Sequence, residues 1–183
     1  DAAKFVFHQT QMTSVTCSHE FIKSLCKLKL EDAKDEGGKM NTLVNIICYE
    51  SSVTDEDKKM CEEASINLHT MEQVIFKGRE AVKNGTASVK EPTADDVYMF
   101  SYTSGTTGDP KGVKLTHRMV ISSAYGVNHR VEPPFNTDDC YISYLPAAHS
   151  FEQITCGISI IYGMKCGFFA GNVQKLTDDI ALL

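Results

Sequence analysis

Apolar positions in this chain come in two patterns, short continuous runs and helically spaced sets, and the two alternate from one end to the other. The runs at 5–7, 43–49, 97–100, 140–144 and 164–169 predict strands, with a brief further strand at 67–69. Ser18 is placed to cap a helix carrying Phe21, Leu25 and Leu28. Thr54 with Asp57 opens the next helix, and Thr70 with Gln73 forms a capping box for another. Further along, Thr116 caps a helix over 116–129 with Met119, Ile121 and Tyr125 among its apolar positions, and 149–162 and 173–183 read as two more. Residues 32–39, charged and holding Gly37-Gly38, predict a surface loop, and 83–91 connects onward to Pro92. Strands alternating with helices in this way predict an α/β fold, a mainly parallel sheet flanked by helices. In such sheets ligands bind beyond the carboxyl ends of the strands.

Packing alone does not explain the composition of residues 101–113, Ser-Tyr-Thr-Ser-Gly-Thr-Thr-Gly-Asp-Pro-Lys-Gly-Val. An apolar strand runs into three glycines, four hydroxyl side chains from Thr103 to Thr107, a proline and a lysine. Gly105, Gly108 and Gly112 allow positive φ and close approach of a ligand to backbone N–H groups. Ser104, Thr106 and Thr107 add hydroxyl donors, and Lys111 adds a full positive charge beside an anion-binding concavity. A polyphosphate suits that set, whereas a solvated Gly/Thr hairpin is the plainer reading. The Walker A pattern fails because Gly112, not Ser or Thr, follows Lys111. The dinucleotide fingerprint fails because position 103 is not glycine.

Composition narrows the partners. The chain has 183 residues, 42% hydrophobic and 23% charged, which is ordinary for a domain with a real core. A formal net charge of −6 gives no whole-surface attraction to nucleic acid, so affinity for polyphosphate has to be local. Seven cysteines without a Cys-x-x-Cys pair or zinc-like His spacing point to free thiols in a reducing compartment. The most apolar stretch, 158–171, is broken by Lys165 and three glycines and predicts no membrane span. Starting at Asp1 and stopping within a helical pattern, the chain reads as a fragment.

The segment Tyr102-Thr-Ser-Gly-Thr-Thr-Gly-Asp-Pro-Lys-Gly112 resembles the phosphate-binding signature of the adenylate-forming, or AMP-binding, superfamily. Tyr144-Leu-Pro-Ala-Ala-His-Ser-Phe-Glu152 resembles the Leu-Pro-x-x-His-x-Phe-Glu segment of its long-chain fatty acyl-CoA synthetases, and Gly167-Phe-Phe-Ala-Gly171 the strand that follows. These matches cover roughly residues 95–183. Residues 1–183 would then be part of the large N-terminal domain of that fold, with the remainder and the C-terminal domain absent.

The resemblance implies a reaction in two halves. A fatty-acid carboxylate attacks the α-phosphorus of ATP to give an acyl-adenylate, and the thiol of coenzyme A then displaces AMP. It implies that Tyr102, Thr103, Ser104, Gly105, Thr106, Thr107, Gly108, Pro110, Lys111 and Gly112 hold the nucleotide, with Thr106 in the shell of Mg²⁺. Lys111 would neutralise departing pyrophosphate. His149 would lie near the carboxylate and α-phosphate, or serve simply as a helix cap; Glu152 reads as a structural partner and His117 as a helix start. Asp109 departs from the pattern by placing a negative charge beside the phosphate site. The downstream Tyr-Gly-x-Thr-Glu motif, ribose-binding Asp and C-terminal Lys of the family are not in these residues, so activity is expected of a full-length parent. That parent is expected in the cytoplasm, at the cytosolic face of the endoplasmic reticulum or another membrane. An adenylating enzyme for another carboxylic acid and a non-catalytic nucleotide-binding module are the competing readings.

Overall fold

The structure, a computed structural model, describes residues 2–103 and 110–183. The chain divides into two units, residues 1–90 and 91–183.

In the first unit, strands β1 (Ser14–Cys17), β2 (Asn45–Cys48) and β3 (Asn67–Thr70) form a parallel sheet in the order β1-β2-β3. The register pairs Cys17 with Cys48, and Cys48 with Thr70. Helices α1 (Ala2–Thr10), α2 (Ile22–Asp32), α3 (Asp55–Glu63) and α4 (Met71–Lys83) connect and flank these strands. The core is built from Ile22, Cys26, Met40, Leu43, Ile46 and Cys48, all fully buried. Each large aliphatic among them contributes about 1.5–3 kcal/mol by leaving water.

Local sequence sets two of the helix starts. Thr54 accepts from the Asp57 N–H while the Asp57 carboxylate accepts from the Thr54 N–H, and Thr70 and Gln73 repeat the arrangement. Each box satisfies two amide donors that a helix start otherwise leaves open.

Residues 5–7 are helical, not a strand; they lie within α1. A three-residue apolar run has no period of its own, and here Phe7 packs into the core from a helix whose Thr10 hydroxyl bonds the Val6 carbonyl at 2.7 Å. The edge strand is Ser14–Cys17 instead. In α2 the buried stripe is Ile22, Cys26 and Lys29, one position along from the predicted one, and Phe21 is exposed. The predicted surface loop at 32–39 begins with a buried residue, because Asp32 is the last residue of α2 and is 1% exposed.

The α1 helix explains how Asp32 stays charged inside. Lys4 and His8, four apart and so on one helical face, reach its Oδ1 at 3.1 and 2.5 Å, and the Met40 N–H reaches Oδ2 at 2.9 Å. Burial pushes the Asp32 carboxyl up, but these three donors outweigh it and hold the pKa at about 2. A carboxylate with a depressed folded pKa gives stability that is whole above the unfolded value and is lost as pH falls through the folded one. Asp32→Asn should therefore cost about 2 kcal/mol at neutral pH. The gap from wild type should close between about pH 4 and pH 2, as read by urea unfolding across that range. A gap independent of pH would assign the loss to packing.

In the second unit, β4 (Val97–Thr103) pairs antiparallel with β5 (Lys111–Thr116), and β6 (Cys140–Ser143) pairs parallel with β7 (Lys165–Phe168). Helices α5 (His117–Asn128), α6 (Ser150–Tyr162) and α7 (Leu176–Ala181) complete it. Thr116 caps α5 by accepting from the Met119 N–H, as its sequence predicts. Met119, Ile121 and Tyr125 are nonetheless exposed, and the buried face of α5 is Ala124 and Asn128. Among the described residues, no helix is long and apolar enough to cross a membrane.

Candidate functional site

The strand that leads into the signature continues to Thr103, and the chain returns as β5, so Tyr102 faces Gly112 and Thr103 faces Lys111 across the ladder. A hairpin base therefore holds the two ends of the signature side by side. Ser104, Gly105, Thr106, Thr107 and Gly108, with the Mg²⁺ role expected of Thr106, lie outside the described residues. Pro110 leads into β5 half-buried, while Thr103 and the Lys111 side chain are exposed at the mouth.

Gly112 serves here by its small size and not by a positive φ. A Cβ there would lie 2.9 Å from the Tyr102 ring, so any larger residue would make that ring shift from its place across the strand. Further along β5, Lys114 pairs with Phe100 and holds its Nζ 6.0 Å from the centre of that ring. Two cations, Lys111 and Lys114, thus lie on the returning strand.

The second motif forms the turn beyond the carboxyl end of β6 and the first turn of α6. His149 is the N-cap of α6, and its Nδ1 accepts from the Phe151 N–H at 3.2 Å. In the neutral ring this leaves the proton on Nε2, so an exposed imidazole presents an N–H donor outward. The capping alternative for His149 is therefore present, and it leaves the other nitrogen for a ligand.

Glu152 is 2% exposed and accepts from Tyr141 Oη at 2.5 Å, Ser143 Oγ at 2.6 Å and Cys156 Sγ at 3.4 Å. Burial raises its pKa, yet the bonds from Ser143, Tyr141 and Cys156 carry the net shift downward, so it is a buried carboxylate fixing α6 to β6. The same environment pushes the Cys156 thiol up to about 11. The sequence reads Glu152 as a structural partner outside the catalytic set, and its surroundings agree.

Contacts that the sequence did not reveal join the two motifs. Ser101, buried two residues before Thr103, donates from Oγ to the Ala148 carbonyl at 2.9 Å. Tyr98 donates to Gln153 Oε1 at 2.5 Å, and Gln153 Nε2 in turn donates to the Ala147 carbonyl. Strand β4 is thereby tied at two points to the turn that carries His149. Ser101 in an apolar strand was the available signal, since a buried hydroxyl has to find a partner, whereas Tyr98 is exposed and gave none. Tyr98 also meets the His117 ring edge to face, with centroids 5.2 Å apart, so His117 is a packed helix start. An open groove of about 330 Å³ beside the start of α5, lined by Thr93, His117 and Arg118 among others, includes none of Thr103, Lys111 or His149.

What this arrangement can do chemically is bind an anion at a hairpin mouth through a lysine, with an imidazole N–H donor held near by a linked turn. No group of three His, Cys, Asp or Glu suited to a metal occurs among the described residues, and no step is assigned to a metal here.

Known proteins share this arrangement of chain. The chain is 32% identical over its whole length to mouse long-chain-fatty-acid–CoA ligase 5 and 33% identical to fatty acyl-CoA synthetase B of Dictyostelium discoideum. It spans about a quarter of the length of these relatives, 26% and 25%. Among solved structures, the adenylation domain of a carboxylate reductase from Mycobacterium chelonae superposes on 99% of the chain with a TM-score of 0.74 at 18% identity, covering 28% of that domain's chain. An adenylation–carrier didomain from Segniliparus rugosus, solved with AMP, gives 0.67 at 22% identity, over 98% of this chain and 25% of that one. These likenesses establish the fold, that of the adenylate-forming enzymes. The family profile described as AMP-binding enzyme matches residues 2–182, a span that takes in both the hairpin and the capped turn: this chain belongs to the AMP-binding enzyme family.

Proposed function

We propose that the protein carrying this chain is an ATP-dependent acid–thiol ligase that activates a long-chain fatty acid as its acyl-adenylate and passes it to coenzyme A. The observation that carries this reading is the double tie between β4 and the His149 turn, through Ser101–Ala148 and Tyr98–Gln153–Ala147. It couples the superfamily's nucleotide signature to the segment that resembles the long-chain branch. The 32% and 33% identity of this chain to a quarter of two acyl-CoA ligases supports it independently.

In this reading ATP enters as its magnesium complex, with its phosphates at the mouth between Thr103 and Lys111. A fatty-acid carboxylate is already ionised at neutral pH, so the first half-reaction needs alignment and charge stabilisation more than a base. Lys111 supplies a cation where pyrophosphate departs, and the outward Nε2–H of His149 donates toward the oxygens of the carboxylate and α-phosphate. Ser101 and Gln153 hold the turn that presents that donor. The acyl-adenylate carries AMP as the leaving group for attack by the coenzyme A thiol.

Relative kcat/KM across palmitate, acetate and an aromatic acid tests the substrate class in the full-length protein. Palmitate should lead by about tenfold or more, since each buried methylene adds about 0.8 kcal/mol of binding. A preference for acetate or for the aromatic acid would overturn the long-chain assignment while leaving adenylation in place.

A further inference from the structure

The first unit holds a pair of thiols that the proposed chemistry does not use. Cys26 of α2 and Cys61 of α3 are 0% and 1% exposed, and their Sγ atoms lie 3.5 Å apart. Lys23 Nζ of α2 also meets Glu56 Oε2 of α3, and His19 Nε2, in the 3-10 turn just before α2, meets Asp57 Oδ2, each at 2.7 Å. Positions 19, 23 and 26 run from that turn into α2, so three successive contacts set the approach of the two segments.

We propose that Cys26 and Cys61 are a modification site, a dithiol that a hydroperoxide converts into an intramolecular disulfide stapling α2 to α3. A disulfide needs its sulfurs about 2.05 Å apart, so these atoms have to close by about 1.5 Å, within reach of side-chain rotation and a small helix shift. The Cys26 thiolate attacks the peroxide oxygen, the O–O bond breaks, and Cys26 becomes a sulfenic acid as an alcohol or water leaves. The Cys61 sulfur then attacks the Cys26 sulfur, expelling water. In sum, two thiols and one hydroperoxide give one disulfide, one alcohol and one water, a balanced two-electron exchange.

The order of attack follows from the surroundings. The hydrogen bond from Cys61 lowers the Cys26 pKa against the opposing effect of burial, and Lys29, one turn along α2, assists. Cys61 is shifted the other way by the same bond, by burial and by the charges of Cys26 and Asp57. Asp57 also opposes ionisation of Cys26, so the cation and the carboxylate near the pair act in opposite senses. The neighbouring pair in the sheet, Cys17 and Cys48, is a poorer reactant. Cys48 donates to Glu50 Oε2 at 3.0 Å, and burial with that carboxylate pushes its thiol up to about 11. Burial of Cys26 and Cys61 means the oxidant enters only when α2 and α3 part locally, so the reaction is slow beside that of the exposed Cys140 and Cys166.

The test uses this chain with Cys140, Cys156 and Cys166 changed to Ser, treated with hydrogen peroxide and mapped as peptides without reduction. The expected result is one bridge, Cys26 to Cys61. Because the bridge closes a loop of 35 residues, the melting temperature of the first unit should rise by about 10 °C and return on addition of dithiothreitol. Changing Cys61 to Ala should leave a sulfenic acid on Cys26 that dimedone traps. A bridge between Cys17 and Cys48 instead, four unbridged thiols after the exposed residues of the unmodified chain have fully oxidised, or a bridge that lowers the melting temperature would each overturn the proposal. Should the triple variant fold poorly, the same peptide map on the unmodified chain decides the question equally well, since the bridged peptides identify themselves. None of these readouts depends on ligase activity.

Discussion

Lys111→Ala in the full-length protein should slow adenylate formation by about a hundred- to a thousandfold, the usual effect of removing one charge-stabilising contact from a reacting phosphoryl centre. It should leave thioester formation from preformed acyl-adenylate within about threefold, the range of an ordinary surface change. The asymmetry follows from where the lysine stands. It is exposed on β5 opposite Thr103, at the end of the signature, and in the proposed reaction pyrophosphate is present only in the first half. Pyrophosphate exchange and single-turnover thioester assays on the same variant separate the two halves. Equal losses in both would mean that Lys111 acts on folding or on closure of the enzyme, and no loss in either would make it a solvated turn residue.

Glu152→Ala should destabilise the second unit by about 3 kcal/mol while leaving the first unit unchanged. The substitution strips an acceptor from Tyr141, Ser143 and Cys156 and leaves two hydroxyls and a thiol half-buried around a void. Thr155 Oγ1, 2.9 Å from Tyr141 Oη and also within reach of the Phe151 carbonyl, is the other partner of the tyrosine hydroxyl, and Ser143 and Cys156 lose their side-chain acceptor. Hydrogen exchange read by mass spectrometry distinguishes the units, with faster exchange expected in peptides from 140–162 and none in 2–90. The carboxylate's depressed pKa gives the effect a pH dependence: its contribution is whole above about pH 5 and fades as pH falls through the folded value. Uniform exchange across both units would refute this assignment.

How much of the fold is legible in the sequence depends on whether the cause is local. The helix starts at Thr54, Thr70 and Thr116 follow from residues within three positions of each other, and each cap is formed as read. The parallel sheet follows from the alternation of strand and helix. Strand β5 was invisible because Lys111-Gly-Val-Lys-Leu-Thr has neither an apolar run nor a fully buried face; pairing with β4 makes it a strand. Asp32 read as part of a surface loop, and Lys29 drew no notice, because no rule of pattern predicts burial for such residues. Lys29 goes inside because the carbonyls of Leu43 and Ser65 accept from its Nζ, and Asp32 because α1 brings Lys4 and His8. In the candidate site, the motifs announced themselves by residue type, whereas Ser101, Tyr98 and Gln153 matter through partners about fifty positions away.

The tie between β4 and the His149 turn also bears on which positions evolution leaves free. Ser101 and Gln153 grip the turn by the carbonyls of Ala148 and Ala147, groups that every amino acid supplies. Both alanine side chains are exposed, so neither packing nor hydrogen bonding asks for a methyl group there. Two of the three unspecified places in Leu-Pro-x-x-His-x-Phe-Glu are those same residues, and the grip asks nothing of their side chains. The gripping side chains are Ser101 and the bonded pair Tyr98 and Gln153, 55 positions apart, so the turn is held through its backbone by groups that lie on β4 and α6.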